Sequence, residues 1–143
     1  MRPILKLSSC NSFLDDGKIN VRNTALKPNG EFKETCGYAE VPDPSKPAEL
    51  VVQFPHSPAG DYWILETDYD NYVSIYTCEN FLGFWKVEYA WVLARNPTNF
   101  TQEIMDTALN AFHSQNLLDT SKFVSFSQEG CSYENPSGAE PCS

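Results

Sequence analysis

The chain has few of the side chains from which metal or catalytic centres are usually built. Its 143 residues include two histidines, His56 and His113. The five cysteines are scattered, and no two of them have Cys-x-x-Cys spacing. Zinc sites usually need closely spaced thiol or imidazole pairs. The sequence therefore does not support a metal site, and we expect no organic cofactor.

Positive charge and long apolar runs are also scarce. Lys and Arg together number 10 against 19 Asp and Glu, which gives a net charge of −9. An acidic surface repels phosphate groups, so a nucleic acid is not expected as a partner. No apolar run approaches the ~20 residues that a spanning helix needs, so no membrane span is expected. The first residues also lack the long apolar core of a secretory signal.

Turn-forming residues separate a series of short runs that alternate between apolar and polar residues. This alternation, with many β-branched and aromatic side chains, predicts strands. The predicted strands are KINVRNTAL, EFKETCGYAEV, AELVVQF, DYWILETD, NYVSIYTCE and FWKVEYAWVLA. Consecutive short strands at this spacing predict an antiparallel meander, in a sandwich or a barrel.

One segment has helical periodicity instead. In NFTQEIMDTALNAFHSQN, Ile104, Ala108 and Phe112 fall on one face of a helix. A short strand, KFVSF, and a loose tail over 130–143 are predicted after it. We therefore expect one domain over 1–143, all-β with one C-terminal helix and with an atypical N-terminal segment over 1–14.

The last long strand separates large aromatic residues from small ones. Trp91, Tyr89 and Val87 share one side of it, whereas Ala90 and Val92 lie on the other, which suits a covering helix. By the same alternation, four residues of neighbouring strands should share the aromatic side: Leu50, Val52, Phe54 and Trp63. This side is either a packed core or the wall of a ligand cavity. Because buried Trp and Tyr need polar partners, we predict the cavity.

Two motifs stand out in the second half of the chain: the triplet Thr67, Asp68 and Tyr69 between two strands, and Arg95 within AWVLARNP. Their order resembles that of the lipocalins, and most closely of their apolipoprotein D-like branch. The C-terminal DTSKFVSFSQEGCSY is also similar to the crustacean carapace-colour lipocalins. The resemblance runs from about Gly17 to Tyr133. The family's first motif, Gly-x-Trp, is absent.

The resemblance implies an antiparallel up-and-down barrel, here incomplete with about seven of eight strands. It also implies binding and transport of a small hydrophobic molecule of the sterol, fatty acid, carotenoid or bilin type. Cys131 matches a family cysteine, and Cys10 is the candidate for its disulfide partner. The family context and the sequon at Asn99 imply a secreted glycoprotein. If the protein forms an oligomer, its partners are copies of itself or other chains.

Three other functions remain open. The first is a pigment-binding subunit of a coloration complex. The second is a truncated isoform or fragment that binds no ligand of its own. An enzyme is the third alternative, with Cys10 or Cys78 as the nucleophile. No histidine motif lies near either cysteine to activate its thiol, so we predict that the chain is not an enzyme.

Overall fold

The computed structural model describes residues 6–131, with side chains described for residues 13–80 and 82–131. Seven strands precede one α-helix in this range. They are β1 (Lys6–Phe13), β2 (Ile19–Leu26), β3 (Phe32–Glu40), β4 (Glu49–Gln53), β5 (Gly60–Thr67), β6 (Tyr72–Phe81), β7 (Trp85–Ala94) and α1 (Gln102–His113). Short 3₁₀ turns cover Pro97–Asn99 and Thr120–Lys122.

The chain divides into two compact units. Unit 1 contains the residues up to Glu40, Val52–Ala59 and the residues from Val124 onwards. Unit 2 contains Val41–Val51 and Gly60–Phe123. The strand β4 is therefore shared between the two units.

Unit 1 is built on an antiparallel meander of β1, β2 and β3. The backbone of Arg22 on β2 pairs with Cys10 on one side and Cys36 on the other. Gly17 and Gly30 have φ of 82° and 80°, a left-handed conformation that glycine adopts without strain, and each lies in a turn between two of these strands. The Arg22 guanidinium bonds the Glu34 carboxylate across β2 and β3, with Nε at 2.7 Å from Oε2.

Unit 2 contains a second antiparallel meander, formed by β5, β6 and β7. The β6–β7 hairpin is paired along its whole length, from Tyr72 opposite Ala94 to Phe81 opposite Trp85. The β5–β6 pairing is interrupted by a bulge, because Ile64 pairs with Ile75 whereas Glu66 pairs with Ser74. Leu65 is thus the extra residue of β5.

The helix α1 packs against the sheet of unit 2. Thr101 caps its N-terminus, with Oγ1 accepting a hydrogen bond from the Ile104 amide at 3.3 Å. Ala108, Ala111 and Phe112 are its buried residues. Ser74 of β6, itself fully buried, donates to the Ala108 carbonyl at 2.7 Å and so fixes the helix on the sheet.

The six strands and the helix expected from the sequence are confirmed as β2 to β7 and α1. The structure adds β1, which lies within the segment 1–14 that the sequence analysis described as atypical. The predicted strand KFVSF is wrong. Its first part forms a 3₁₀ turn in which the Phe123 amide bonds the Thr120 carbonyl, and no ladder is assigned to the described residues that follow. Most of the expected tail, from residue 132, lies outside the described residues.

Candidate functional site

The sheet of unit 2 has two chemically different faces. Paired residues of antiparallel strands project to the same face, and neighbours along a strand project to opposite faces. Ile75 pairs with Trp91, and Tyr76 pairs with Ala90. We call the side that bears Trp91 the aromatic face and the side that bears Ala90 the helix face. The aromatic face carries Tyr62, Ile64, Ile75, Thr77, Val87, Tyr89 and Trp91.

The helix face is occupied by α1. Ser74, which bonds the helix, pairs with Val92 and therefore lies on this face with Ala90. Tyr76 also lies here and donates its hydroxyl hydrogen to Glu88, which in turn accepts from Lys86 at 2.9 Å. Burial raises the pKa of Tyr76, and the bond to Glu88 raises it further. The small residues Ala90 and Val92 thus lie on the covered side, as predicted.

The aromatic face is built around a stacked pair of rings. The Tyr89 and Trp91 ring centroids lie 5.8 Å apart, and the ring planes differ by 12°. Tyr89 is 42% exposed, whereas Trp91 and Val87 are half-buried. Beside this pair on β6 lie Ile75, opposite Trp91, and Thr77, opposite Tyr89, and both are buried. The arrangement combines apolar side chains with the hydroxyl of Tyr89 and the indole N–H of Trp91.

Tyr62 belongs to this face but was missed by the sequence analysis. It lies two residues before Ile64, whose partner Ile75 is on the aromatic face. Burial raises the pKa of the Tyr62 hydroxyl to about 12. A tyrosine hydroxyl is neutral at physiological pH even without this shift, so it can both donate and accept a hydrogen bond. The apolar alternation of Tyr62 and Ile64 was the signal that could have revealed it.

Trp63 lies on the helix face, contrary to the prediction. It pairs with Tyr76, and the two ring centroids are 6.2 Å apart. The prediction assumed unbroken alternation along this strand. The bulge at Leu65 shifts the alternation by one residue, so Trp63 and Glu66 project to the same side.

The three residues predicted on β4 and just after it are divided between the units. Leu50 is buried in unit 2, where the adjacent Ala48 carbonyl accepts a hydrogen bond from the Ile64 amide at 2.9 Å. Val52 and Phe54 belong to unit 1 and are half-buried. The Phe54 ring lies against Gly37 of β3. A Cβ on Gly37 would be only 2.6 Å from Phe54 Cδ1 and 2.4 Å from the Gln53 carbonyl oxygen.

The triplet Thr67, Asp68 and Tyr69 forms the turn between β5 and β6. Asp68 Oδ1 accepts backbone hydrogen bonds from Asp70, Asn71 and Tyr72 at 3.2, 2.7 and 3.1 Å. Its other oxygen accepts from the Asn71 side-chain amide at 2.7 Å. These bonds, led by those from Asn71, lower the pKa of Asp68 to about 2. The carboxylate therefore acts as the cap of this turn.

Arg95 meets the same turn from the end of β7. Its Nε donates to the Tyr69 carbonyl at 2.9 Å, and its backbone amide donates to the Asn71 carbonyl at 2.9 Å. Tyr69 itself has a φ of 66°, a left-handed conformation within this turn. The structure thus brings all four motif residues together in one hydrogen-bonded turn.

The predicted disulfide between Cys10 and Cys131 is not formed in the structure. Cys131 has a free thiol, which donates to Gln128 Oε1 at 3.3 Å. A local turn after Gln128 holds this thiol, since the Cys131 amide also bonds the Gln128 carbonyl. The side chain of Cys10 lies outside the described residues. Cys78 also has a free thiol, and Asn99 of the sequon is exposed at the end of a 3₁₀ turn.

The described residues do not provide a metal site or a membrane-spanning helix. Within residues 6–131, no three His, Cys, Asp or Glu side chains lie close enough together to hold a metal ion. In the same range, no helix combines the length and the apolar character that crossing a bilayer requires.

The comparisons with known proteins agree with this architecture. The Lipocalin-like domain family matches residues 9–128. Apolipoprotein D of Mus musculus is 37% identical over 121 residues, which are 84% of this chain and 63% of the relative. The Lazarillo protein of Schistocerca americana is 35% identical over 103 residues, which cover 68% of this chain and 46% of that protein. The chain thus spans less than two thirds of the length of these relatives.

Solved structures show the same fold. Lobster apocrustacyanin A1 superposes with a TM-score of 0.73 at 24% identity, covering 88% of this chain and 68% of that one. The insecticyanin of Manduca sexta is also 24% identical and superposes with a TM-score of 0.65, covering 90% of this chain and 70% of that one. Antiparallel strands in meander order followed by a helix are therefore an incomplete lipocalin fold. The chain belongs to the lipocalin family and is similar to its apolipoprotein D-like branch.

Proposed function

We propose that the aromatic face of unit 2 binds a small hydrophobic molecule, which the protein carries. The observation that supports this most strongly is the stacked pair Tyr89 and Trp91, half-open on the face that the helix does not cover. The ligand is of the sterol, fatty acid, carotenoid or bilin type. Its apolar surface would supply affinity at ~25 cal/mol per Å² buried.

The polar tips around this face would orient the ligand. Tyr62 and Tyr89 each carry a hydroxyl that is neutral at physiological pH, and Trp91 carries an indole N–H. These groups share a face with the apolar Ile75. Pockets for small molecules commonly combine an apolar wall with few polar groups. Leu50, which belongs to the same unit, adds to the apolar wall in this proposal. The assignment of Val52 and Phe54 stays a prediction from the sequence.

The proposal treats the protein as a carrier and not as an enzyme. Membership of the lipocalin family supports a binding function. We further propose that the protein is secreted and glycosylated at Asn99, which is exposed. We also propose that the protein assembles with further copies of itself or with other chains. The pigment-subunit alternative requires that the purified protein hold a coloured ligand.

Retinol titration tests the proposal, because retinol emission rises in apolar surroundings. The natural chain should give a saturable rise, and Trp91→Ala should weaken binding by about tenfold or more, since a large apolar contact is removed. Trp63→Phe is the matched control, because Trp63 lies on the helix face of the same sheet. It should change affinity by no more than about twofold.

Circular dichroism on each variant separates binding from folding. A folded Trp91→Ala protein with unchanged affinity would contradict the site, and equal losses in both variants would contradict the assignment of faces. A folded natural chain without saturable binding would favour the interpretation of these aromatics as plain core, in a chain without ligand binding of its own.

A further inference from the structure

The strand β7 has one edge without a partner strand in the described part of the chain. Within residues 6–131, β7 is the last strand in the order of the sheet and bonds β6 alone. It is ten residues long and pairs with β6 over its whole length. An open edge of this length offers a row of backbone donors and acceptors to another strand. The backbone and the side chains of β7 indicate which strand fits it.

The direction of the backbone groups along β7 follows from Arg95. The Arg95 amide donates to the Asn71 carbonyl, on the β6 side, at 2.9 Å. In an antiparallel sheet, alternate residues of a strand bond the neighbour on one side, and the residues between them point to the other side. Because the register with β6 is unbroken, every second residue of β7 points its amide and carbonyl away from β6. We call them the open-edge residues, and they are Lys86, Glu88, Ala90, Val92 and Ala94.

Two copies of β7 fit each other edge to edge. A twofold axis normal to the sheet makes the two strands antiparallel and keeps the same face of each sheet on the same side. Open-edge residues of one copy then lie opposite open-edge residues of the other. With Ala90 on the axis, Glu88 lies opposite Val92 of the other copy. This register uses the whole strand and would form about ten backbone hydrogen bonds, a number typical of a stable protein interface.

The side chains on the aromatic face also match in this register. Each pair forms twice, and the pairs are Tyr89 with Trp91, Val87 with Leu93 and Trp85 with Arg95. The first joins two aromatic rings and the second two apolar side chains, and both kinds stabilise neighbouring strands. In the third, a guanidinium can stack on an indole. Trp85 is 75% exposed and Arg95 is also exposed, so both are open to another chain. A shift of the register by two residues in either direction leaves Trp85 or Arg95 unmatched.

We propose that two copies of this chain associate through their β7 edges, as an antiparallel pair centred on Ala90. The association closes the edge, because each copy presents the same strand to the other. The proposal deepens the assembly with further copies proposed above, on which it rests, by giving its surface and its register. It does not depend on ligand binding, although the aromatic faces of the two copies become neighbours.

Hydrogen exchange of single amides, followed by NMR without ligand, tests the pairing in the natural chain. The amides of Glu88, Ala90 and Val92 should exchange slowly at a protein concentration at which sedimentation shows a dimer. On dilution to the monomer they should exchange about tenfold faster or more. The Trp91 amide is the control within the same strand, because the alternation directs it to β6. It should exchange slowly at both concentrations.

Two variants at Val92 test the register. Val92→Glu places a carboxylate opposite Glu88 of the other copy, twice in each dimer. Like charges directly opposite each other destabilise a strand pair, so the dissociation constant of the dimer should rise by about tenfold or more. Val92→Lys is the matched control, because it puts a charge of the other sign at the same half-buried position. It should weaken the dimer by no more than about twofold. Circular dichroism checks that both variants fold.

Four outcomes would overturn the proposal. A natural chain that sediments as a monomer at every concentration would exclude the dimer. Slow exchange of the open-edge amides at every dilution would show that a segment of the same chain covers the edge. A dimer with unprotected open-edge amides would place the interface elsewhere, and equal weakening by the two Val92 variants would contradict the register. None of these outcomes bears on ligand binding, which the retinol titration tests separately.

Discussion

Asp68 shows how much of the local fold can depend on one carboxylate. It accepts three backbone hydrogen bonds in the turn between β5 and β6, and Arg95 bonds a carbonyl of the same turn. A carboxylate stabilised in this way has a low pKa, here about 2 against an ordinary 3.8. The family motif is thus explained by the chemistry of a capped turn.

We expect Asp68→Asn to lower the stability of the protein near neutral pH. The substitution keeps the shape of the side chain but removes the charge that the amides stabilise. Because the pKa is lower in the folded state, the charge stabilises the fold above about pH 4, and this contribution is lost as the pH falls through about 2. Urea unfolding at several pH values should show the gap between variant and natural chain closing across this range.

Asp70→Asn is the control for that experiment. Asp70 is exposed in the same turn and differs from Asn in the same way as Asp68 does. Its variant should follow the natural chain at every pH. A gap for Asp68→Asn that persists unchanged below about pH 2 would show that geometry, and not charge, is what the motif supplies.

Gly37 lies at a position with no room for a side chain. A Cβ there would meet the Gln53 carbonyl oxygen at 2.4 Å, and a backbone atom cannot move aside easily. Gly37→Ala should therefore destabilise the protein by about 1–3 kcal/mol in chemical denaturation. Gly60→Ala is the matched control, since its Cβ would meet only the flexible end of Glu79, at 3.3 Å. Equal effects of the two substitutions would refute the steric explanation.

At the scale of elements, the contact between α1 and β6 depends on a polar bond. Ser74 is fully buried and donates to the Ala108 carbonyl at 2.7 Å. Ser74→Ala should reduce the free energy of unfolding by about 1 kcal/mol. Thr107→Ala is the comparison, because its hydroxyl bonds the Glu103 carbonyl within the helix at an exposed site. Thr107→Ala should change the free energy of unfolding by less than about 0.5 kcal/mol. If Thr107→Ala lowered it more than Ser74→Ala does, the role of Ser74 would be contradicted.

The same elements show what alternation can and cannot predict. In β7 the alternation is unbroken over ten residues, so the sequence separated Trp91 from Ala90 correctly. In β5 both faces are apolar, and the bulge at Leu65 leaves no mark in the composition. Trp63 was therefore assigned to the wrong face, and Tyr62 was overlooked. The prediction of a strand at KFVSF was wrong for a different reason. Strand-forming residues make a strand only where a partner strand shares their hydrogen bonds.

At the scale of the whole molecule, the order of motifs was more informative than any single segment. Thr67, Asp68 and Tyr69 are far in sequence from Arg95, yet their spacing predicted the family, and the structure brings them together. The cysteines were less informative. A thiol pairing depends on the positions of two side chains, and Cys131 is held instead by a local turn at Gln128.

The central claim is that a hydrophobic ligand binds on the aromatic face of unit 2. The most direct measurement is a nuclear Overhauser spectrum of the protein with retinol, with the Trp63, Trp85 and Trp91 indole signals assigned. The account predicts contacts from ligand protons to the ring of Trp91 and the methyl groups of Val87, and none to Trp63, which lies against Tyr76 on the helix face. Ligand contacts to Trp63 with none to Trp91 would contradict it.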